Sequence, residues 1–210
     1  MKTPYILFNK AVFICSFLIC ATLSFSAFAQ SSSQVVRAQD IANHFAAIKT
    51  MTGDFVQFGP KGEVTEGTFY LERPGKIRFS YKEGSLRIIS DGRSIGINNR
   101  SLNNWDLYQL SQTPMKLLLG DSINLSSENL LAFSENLEAI TVVLRDKTLG
   151  KGYIRMVFEP KTYALQRWTI VDQQNLETTV EIKNVRTGVR FAAGMFKIPY
   201  QDIAMQRRRD

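Results

Sequence analysis

Two hydrophobic periodicities divide the chain. Between positions 36 and 49, apolar residues recur every three or four positions and polar residues occupy the opposite side, which is typical of an amphipathic helix of about four turns. The apolar positions of this helix are Ala38, Ile41, Ala42, Phe45 and Ile48. After Gly53, short alternating segments are separated by turn residues, which indicates an antiparallel sheet. The pattern therefore predicts an α+β protein that is mostly β.

The clearest hairpin surrounds the sequence RPGK at positions 73–76. Proline at the second position and glycine at the third favour a type II turn, with strands at 68–73 and 77–81. Alternation places Arg73 on the same face as Phe69 and Leu71. A guanidinium at the rim of an apolar face needs acceptors, and helix C-terminal carbonyls would supply them.

The strand pattern is interrupted between positions 105 and 133. Thr113 as N-cap, Pro114 at the first helical position and Gly120 beyond the end predict a short helix at 115–119. A second candidate helix covers 127–133. Strands are then predicted at 140–145, 153–158, 165–171 and 176–184.

The N-terminal segment has the composition of a secretory signal peptide. Lys2 and Lys10 precede an apolar run at 11–23, and the sequence AFA at 27–29 provides small residues for cleavage before Gln30. A membrane anchor is the alternative, but the run is shorter than the roughly 20 residues of a spanning helix. We therefore expect a signal peptide at 1–29 and one exported domain at 30–210.

Composition excludes several classes of function. Both cysteines, Cys15 and Cys20, lie in the expected signal peptide, so the exported domain has no disulfide and no thiol nucleophile. The net charge of +7 becomes +5 without Lys2 and Lys10, and the remaining basic residues are scattered, which argues against nucleic-acid binding. The exception is a basic triplet at the C-terminus, Arg207, Arg208 and Arg209, which is either a solvated tail or an aid to docking on anionic membranes.

Candidate catalytic chemistry is sparse. His44 is the only histidine, no phosphate-binding glycine motif occurs, and no metal or cofactor site is indicated. The expectation is that the protein is not an enzyme. Two scattered carboxylates could still converge as the acid and base of a cell-wall glycosidase, which stays open as an alternative.

Four segments occur in the order found in one family. They are MTGDFVQ at 51–57, GTFYLERPGKIRFSY at 67–81, ISDG at 89–92 and TPMKLL at 113–118. Together they resemble the periplasmic outer-membrane lipoprotein carrier (LolA) family. The resemblance implies a curved, incomplete antiparallel β-barrel with a helical lid over an apolar cavity.

The same resemblance implies a function. It indicates a monomeric periplasmic chaperone that holds lipoprotein acyl chains and carries lipoproteins from an inner-membrane ABC-type exporter to an outer-membrane acceptor or membrane surface. Arg73 matches the family arginine that is thought to hold the lid closed on backbone carbonyls. Ile77 departs from the pattern, because many members have an aromatic residue at that position.

The candidate lipid-binding residues are those of the apolar hairpin face, the next strand and the short helix. They are Phe69, Leu71, Ile77, Phe79, Tyr81, Ile88, Met115, Leu118 and Leu119. An ordinary packed core is the plain alternative for this set. A carrier or sensor of free lipids on the same scaffold, and a β-domain that binds a partner through its sheet edge, are the rival functions.

Overall fold

The fold is one antiparallel sheet of eleven strands, with two helices on its concave side and the C-terminal helix on its outer face. The computed structural model describes residues 26–84, 86–102 and 104–206. The strands are β1 Thr50–Phe58, β2 Val64–Glu72, β3 Lys76–Tyr81, β4 Leu86–Asp91, β5 Ser94–Asn99, β6 Asn104–Gln109, β7 Leu130–Glu135, β8 Ile140–Arg145, β9 Tyr153–Phe158, β10 Leu165–Val171 and β11 Glu177–Thr187. The helices are α1 Ser26–Ala47, α2 Met115–Leu119 and α3 Tyr200–Gln206.

The strand order explains why the barrel is incomplete. The order is β6-β5-β4-β3-β2-β1-β11-β10-β9-β8-β7, so β1 and β11 join two meanders and β6 and β7 form the two edges. The chain between these edges contains α2, which packs together with α1 into the main core. The predicted fold class, a mostly β protein built on an incomplete antiparallel barrel, is confirmed.

Alternation along the strands builds a core on each face of the sheet. The main core joins the concave face to the apolar sides of α1 and α2. A smaller core on the outer face packs Ile89 of β4 against Phe196, Ile198 and Ile203 of the C-terminal segment. Consecutive residues of a strand therefore face opposite cores: Ile88 packs against the main core, and Ile89 lies in the outer one.

The strands predicted after position 139 are confirmed at Ile140–Arg145, Tyr153–Phe158 and Leu165–Val171, and the last strand covers Glu177–Thr187. The helix predicted at 127–133 is wrong, because residues 130–135 form the edge strand β7. Phe133 pairs with Val142 of β8. Hydrogen bonding to this neighbouring strand outweighs the local preference of the segment for a helix. The edge strand β6 was not predicted either. Its polar side includes the aromatic residue Tyr108, which obscures the alternation of apolar and polar positions.

Helix boundaries differ in two details. The α1 helix ends at Ala47, two positions before the end of the predicted segment, and begins ten positions before the start of that segment, at Ser26, in a stretch without proline or glycine to end it. The short helix is confirmed as α2, but Thr113 is not its N-cap. The Thr113 hydroxyl donates instead to the Leu110 carbonyl at 3.0 Å, and Pro114 occupies the cap position.

The predicted RPGK turn is a three-residue loop, with Glu72 paired to Lys76. Gly75 has the expected positive φ of 77°, and the Arg73–Pro74 peptide bond is cis. Residues 1–25 and the basic triplet 207–209 lie outside the described residues, so the predicted signal peptide and the role of the triplet stay predictions. Within the described residues, no helix combines the length and apolarity needed to cross a bilayer.

Candidate functional site

Arg73 joins the sheet to both covering helices. Its Nη1 donates to the carbonyl oxygens of Leu118 at 2.6 Å and Gly120 at 2.7 Å, at the end of α2. Its Nε donates to the carbonyl of Ile48 at 3.1 Å, one residue beyond α1. The guanidinium also stacks over the ring of Phe45, 4.4 Å from its centroid. One side chain thus binds the C-terminal ends of two helices, where backbone carbonyls lack helical partners.

Backbone contacts of the same loop reinforce this junction. The amide of Arg73 donates to the Lys49 carbonyl at 2.8 Å, and the amide of Gly75 donates to the Leu119 carbonyl at 2.8 Å. Gly75 can make this contact because its positive φ turns the amide toward α2. The loop predicted as a simple hairpin turn is therefore also the support for α2.

The guanidinium of Arg73 is held in an apolar environment. The residue is only 6% exposed, and burial lowers its pKa to about 10. The carboxylate of Asp121 partly offsets this effect. Among the described residues, Nη2 of Arg73 has no hydrogen-bond partner. Burial of the cation and the unpaired Nη2 both cost free energy. The three hydrogen bonds of Arg73 therefore stabilise the contact between the sheet and the helices less than their number suggests.

The nine candidate lipid-binding residues come together. Eight are buried in the main core, and Ile88 is half-buried against it. Five of them are 1% exposed or less: Phe69, Leu71, Ile77, Leu118 and Leu119. At this exposure no water-sized space borders these side chains. An acyl chain could therefore reach this face only if α1 or α2 moved away from the sheet.

Sequence reasoning missed several residues of the same apolar region. Phe45 of α1 packs edge-on against Phe158 at 5.7 Å, and Phe55 of β1 packs against Phe79 at 5.0 Å. Trp168 of β10 lies 6.3 Å from Phe79. The helical spacing identified Phe45 as apolar. Only the fold shows that β1 lies next to the RPGK hairpin and that Trp168 of β10, two strands beyond β1, also reaches Phe79.

A second attachment holds the middle of α1 to the far edge of the sheet. Arg37 donates to both carboxylate oxygens of Glu135 on β7, at 2.9 and 2.7 Å, and to the Tyr163 hydroxyl at 2.9 Å. These bonds raise the pKa of Arg37 and lower that of Glu135. His44 packs edge-on against Tyr163, so the only histidine is a packing residue here.

Polar side chains also connect α1 to the segment after α2, and α2 to the residue that follows β8. The amide of Gln39 on α1 donates to the Ile123 carbonyl and accepts from the Leu125 amide, beyond α2. Lys116 of α2 forms a 2.7 Å ion pair with Asp146. The hydrogen bond from Lys116 is the main reason that the pKa of Asp146 falls to about 2.

The arrangement provides an apolar sheet face that two helices cover. The described residues contain no cluster of three or more histidine, cysteine, aspartate or glutamate side chains that could hold a metal ion. The distinctive feature of the site is the cationic side chain of Arg73, which joins an apolar sheet face to the helices that cover it.

Comparisons with known proteins agree with this architecture. A sequence model of the family described as outer membrane lipoprotein carrier protein LolA matches residues 46–199. An outer-membrane lipoprotein carrier protein of Methylobacillus flagellatus is 24% identical over 86% of this chain and 93% of that protein. A protein of the same description from Alkalilimnicola ehrlichii is 25% identical over 79% of this chain and 85% of that protein.

Solved structures share the fold at low sequence identity. A putative outer membrane lipoprotein-sorting protein domain from Vibrio parahaemolyticus has a TM-score of 0.50 and 8% identity, and the match covers 82% of this chain and 99% of that one. An uncharacterized conserved protein from Thermus thermophilus has a TM-score of 0.50 and 10% identity, over 78% and 94% of the two chains. Because the family match spans residues 46–199, this chain belongs to the LolA family.

Proposed function

We propose that the protein is a periplasmic chaperone that binds the acyl chains of lipoproteins between its concave sheet face and helices α1 and α2. It would receive lipoproteins from an inner-membrane ABC-type exporter and deliver them to an outer-membrane acceptor or membrane surface, after removal of a signal peptide at residues 1–29. Membership of the LolA family and the names of two relatives support the carrier role.

The apolar face is suited to this cargo. Burial of an acyl chain contributes about 0.8 kcal/mol per methylene, so a dozen methylenes contribute roughly 10 kcal/mol. In the closed arrangement, the same face is filled by Phe45, Leu118 and Leu119. Cargo and covering helices therefore compete for one surface, which lowers the net affinity enough for the cargo to leave again.

The junction at Arg73 is the observation that supports the proposal most directly. Its hydrogen bonds to Leu118, Gly120 and Ile48 exist only when α1 and α2 lie on the sheet. They stabilise the closed, empty state relative to the open, loaded one. Arg73 then acts as a latch whose closure helps to expel the acyl chains at the acceptor.

The test is transfer of radiolabelled lipoproteins. The processed protein, residues 30–210, is incubated with spheroplasts to collect lipoproteins, and the complex is then mixed with outer membranes. The wild-type protein is expected to release lipoproteins from the spheroplasts and to pass them on. Arg73→Leu is expected to collect them and to retain them, because its closed state is weakened.

An exposed arginine provides the matched control. Arg186 lies on the β11 strand, and Arg186→Leu is expected to behave like the wild type. Failure of the wild-type protein to release any lipoprotein would contradict the proposed function. Phospholipid extracted from the same preparation would then identify the protein as a carrier of free lipids.

A further inference from the structure

The edge strand β6 has one free side. It pairs with β5 along a continuous register, from Asn99 opposite Asn104 to Ser94 opposite Gln109. In the described sheet, β6 has no second neighbouring strand. The backbone amides and carbonyls along such an edge can pair with a further polypeptide strand.

The pairing pattern shows which backbone groups of β6 are free. At the end of the β5–β6 ladder, the Leu110 amide donates to the Arg93 carbonyl at 3.0 Å. In an antiparallel pair, every second residue directs its backbone groups to the partner strand, and the residues between them direct theirs away from it. The amides of Trp105, Leu107 and Gln109 therefore point to the free edge.

The opposite edge of the sheet is protected against an added strand. A bulge between Leu130 and Ala132 interrupts the register of β7, and Arg37 of α1 binds Glu135 on the same strand. Bulges, prolines, lysines and covering elements are the usual means by which edge strands avoid further pairing. Positions 104–109 contain neither lysine nor proline, and the register of β6 has no bulge. Of the two edges, β6 is the one that can accept another strand.

A strand added to β6 lies close to the apolar face proposed to bind acyl chains. Ile95 of β5 is buried in the main core and Ile97 packs against that core. They pair with Tyr108 and Asp106 of β6. Neighbouring strands are about 4.8 Å apart, so a strand added to β6 begins about 10 Å from these isoleucines. An acyl chain on the first residue of the added strand can therefore reach the main core while it stays joined to its peptide.

The exposed side chains of β6 define the chemistry of the added strand. Asp106 is exposed and Tyr108 is 52% exposed, on the face that they share with Ile95 and Ile97. Opposite charges on directly paired residues of neighbouring strands stabilise the pair, and like charges destabilise it. Asp106 is the one charged residue of β6, so a basic side chain beside it is favoured over an acidic one.

We propose that β6 binds an extended, basic segment of polypeptide as a twelfth strand, and that this segment is the part of the cargo that follows its acylated residue. The acyl chain enters the main core, and the peptide accepts hydrogen bonds from the free amides of β6. The chain leads from β6 through residues 110–112 into α2, so the added strand lies near the start of the covering helix. This inference rests on the proposed function, because it needs a cargo in which an acyl chain and a peptide are joined.

The experiment compares two palmitoylated peptides of ten residues with alternating threonine and lysine. In the second peptide, alternate backbone amides are N-methylated, which removes hydrogen-bond donors and blocks strand pairing. Isothermal titration calorimetry with the processed protein is expected to show about tenfold tighter binding of the unmethylated peptide. This peptide should also slow hydrogen exchange at the amides of Trp105, Leu107 and Gln109, whereas palmitate alone should leave that exchange unchanged.

Gln109→Pro tests the edge within the protein. Gln109 has a φ of −71°, which proline adopts without strain, so the variant removes one outward amide and keeps the strand. It is expected to bind the unmethylated peptide about tenfold more weakly than wild type. Gln109→Ala removes the same side chain but keeps the amide, and it should bind within about twofold of wild type. Asp106→Asn should weaken binding of the lysine peptide about threefold.

The possible failures are distinguishable. If palmitate and both peptides fail to bind, the proposed function is contradicted together with this inference. If both peptides bind equally well and exchange in β6 does not change, acyl binding stands and the added strand is overturned. A dimer of the processed protein that Gln109→Pro dissociates in sedimentation equilibrium would also overturn the proposal, because the edge would then bind a second copy of the chain.

Discussion

The Ser90 hydroxyl donates a 2.7 Å hydrogen bond to the carbonyl of Gly75. Ser90 is completely buried at the end of β4, and Gly75 closes the loop that carries Arg73. The amide of Gly75 donates in turn to Leu119 of α2. Gly75 therefore links the sheet to the covering helix: its carbonyl accepts a hydrogen bond from β4, and its amide donates one to α2.

Replacing Ser90 should loosen α2 as well as the sheet. Ser90→Ala leaves the buried Gly75 carbonyl without its donor, which is expected to reduce the free energy of unfolding by about 1–3 kcal/mol. Urea denaturation measures this loss, and amide exchange should be faster at residues 115–119 than in wild type. Ser111→Ala, at an exposed position, serves as the control. If Ser90→Ala lowered the stability but left amide exchange in α2 unchanged, Ser90 would not contribute to holding the helix.

Gly75 should tolerate a side chain less well than Gly62. Both residues have positive φ, at 77° and 84°, so alanine is strained at either position. A Cβ on Gly75 would lie 2.6 Å from the Cα of Gly92, whereas one on Gly62 meets nothing within 4 Å. Gly75→Ala is expected to lower the free energy of unfolding by about 1–3 kcal/mol more than Gly62→Ala. Similar urea midpoints for the two variants would contradict this close approach.

Elements whose signals are local were predictable from the sequence. The α2 helix is bracketed by Pro114 and Gly120, and the strands after position 139 are separated by recognisable turn residues. Arg73 was identified because alternation placed its charge on an apolar face. Its need for carbonyl acceptors follows from chemistry, although which helices supply them depends on the fold.

Features that depend on distant partners were not predictable. Arg37 and Glu135 are separated by 98 positions, and neither is distinguished from other surface charges by its neighbours in sequence. Segment 127–133 has helical spacing, yet pairing with β8 turns its second half into a strand. The partners of Ser90 and Gln39 are backbone groups, which no pattern of side chains reveals.

The Arg37–Glu135 pair should hold the middle of α1 against β7. Its side chains are 36% and 32% exposed, so Glu135→Gln is expected to change global stability by less than about 1 kcal/mol. Hydrogen exchange at residues 34–41 should nevertheless become faster, because the bidentate bond to β7 is lost. Glu66→Gln breaks an exposed pair away from α1 and should leave that exchange unchanged. The same increase in both variants would show that α1 is not held at this point.

Acid should release α2 from β8 through Asp146. The folded-state pKa of this carboxyl group is about 2, below its ordinary value of 3.8, chiefly because of its bond to Lys116. An acid with a lowered folded-state pKa stabilises the fold above its unfolded pKa and loses that contribution as the pH falls through the folded value. The contribution of Asp146 is therefore complete above about pH 4 and disappears as the pH approaches 2.

Asp146→Asn tests this pH dependence because it removes the charge at every pH. Asp146 is about a quarter exposed, so the variant is expected to be less stable than wild type by about 1 kcal/mol at pH 7. The difference should become smaller as the pH falls from about 4 to 2, where about half of the wild-type carboxyl groups are protonated. Urea midpoints of both proteins across this range provide the measurement. A difference as large at pH 2 as at pH 7 would mean that the Asp146 side chain acts through its hydrogen bonds to Thr148 rather than through its charge.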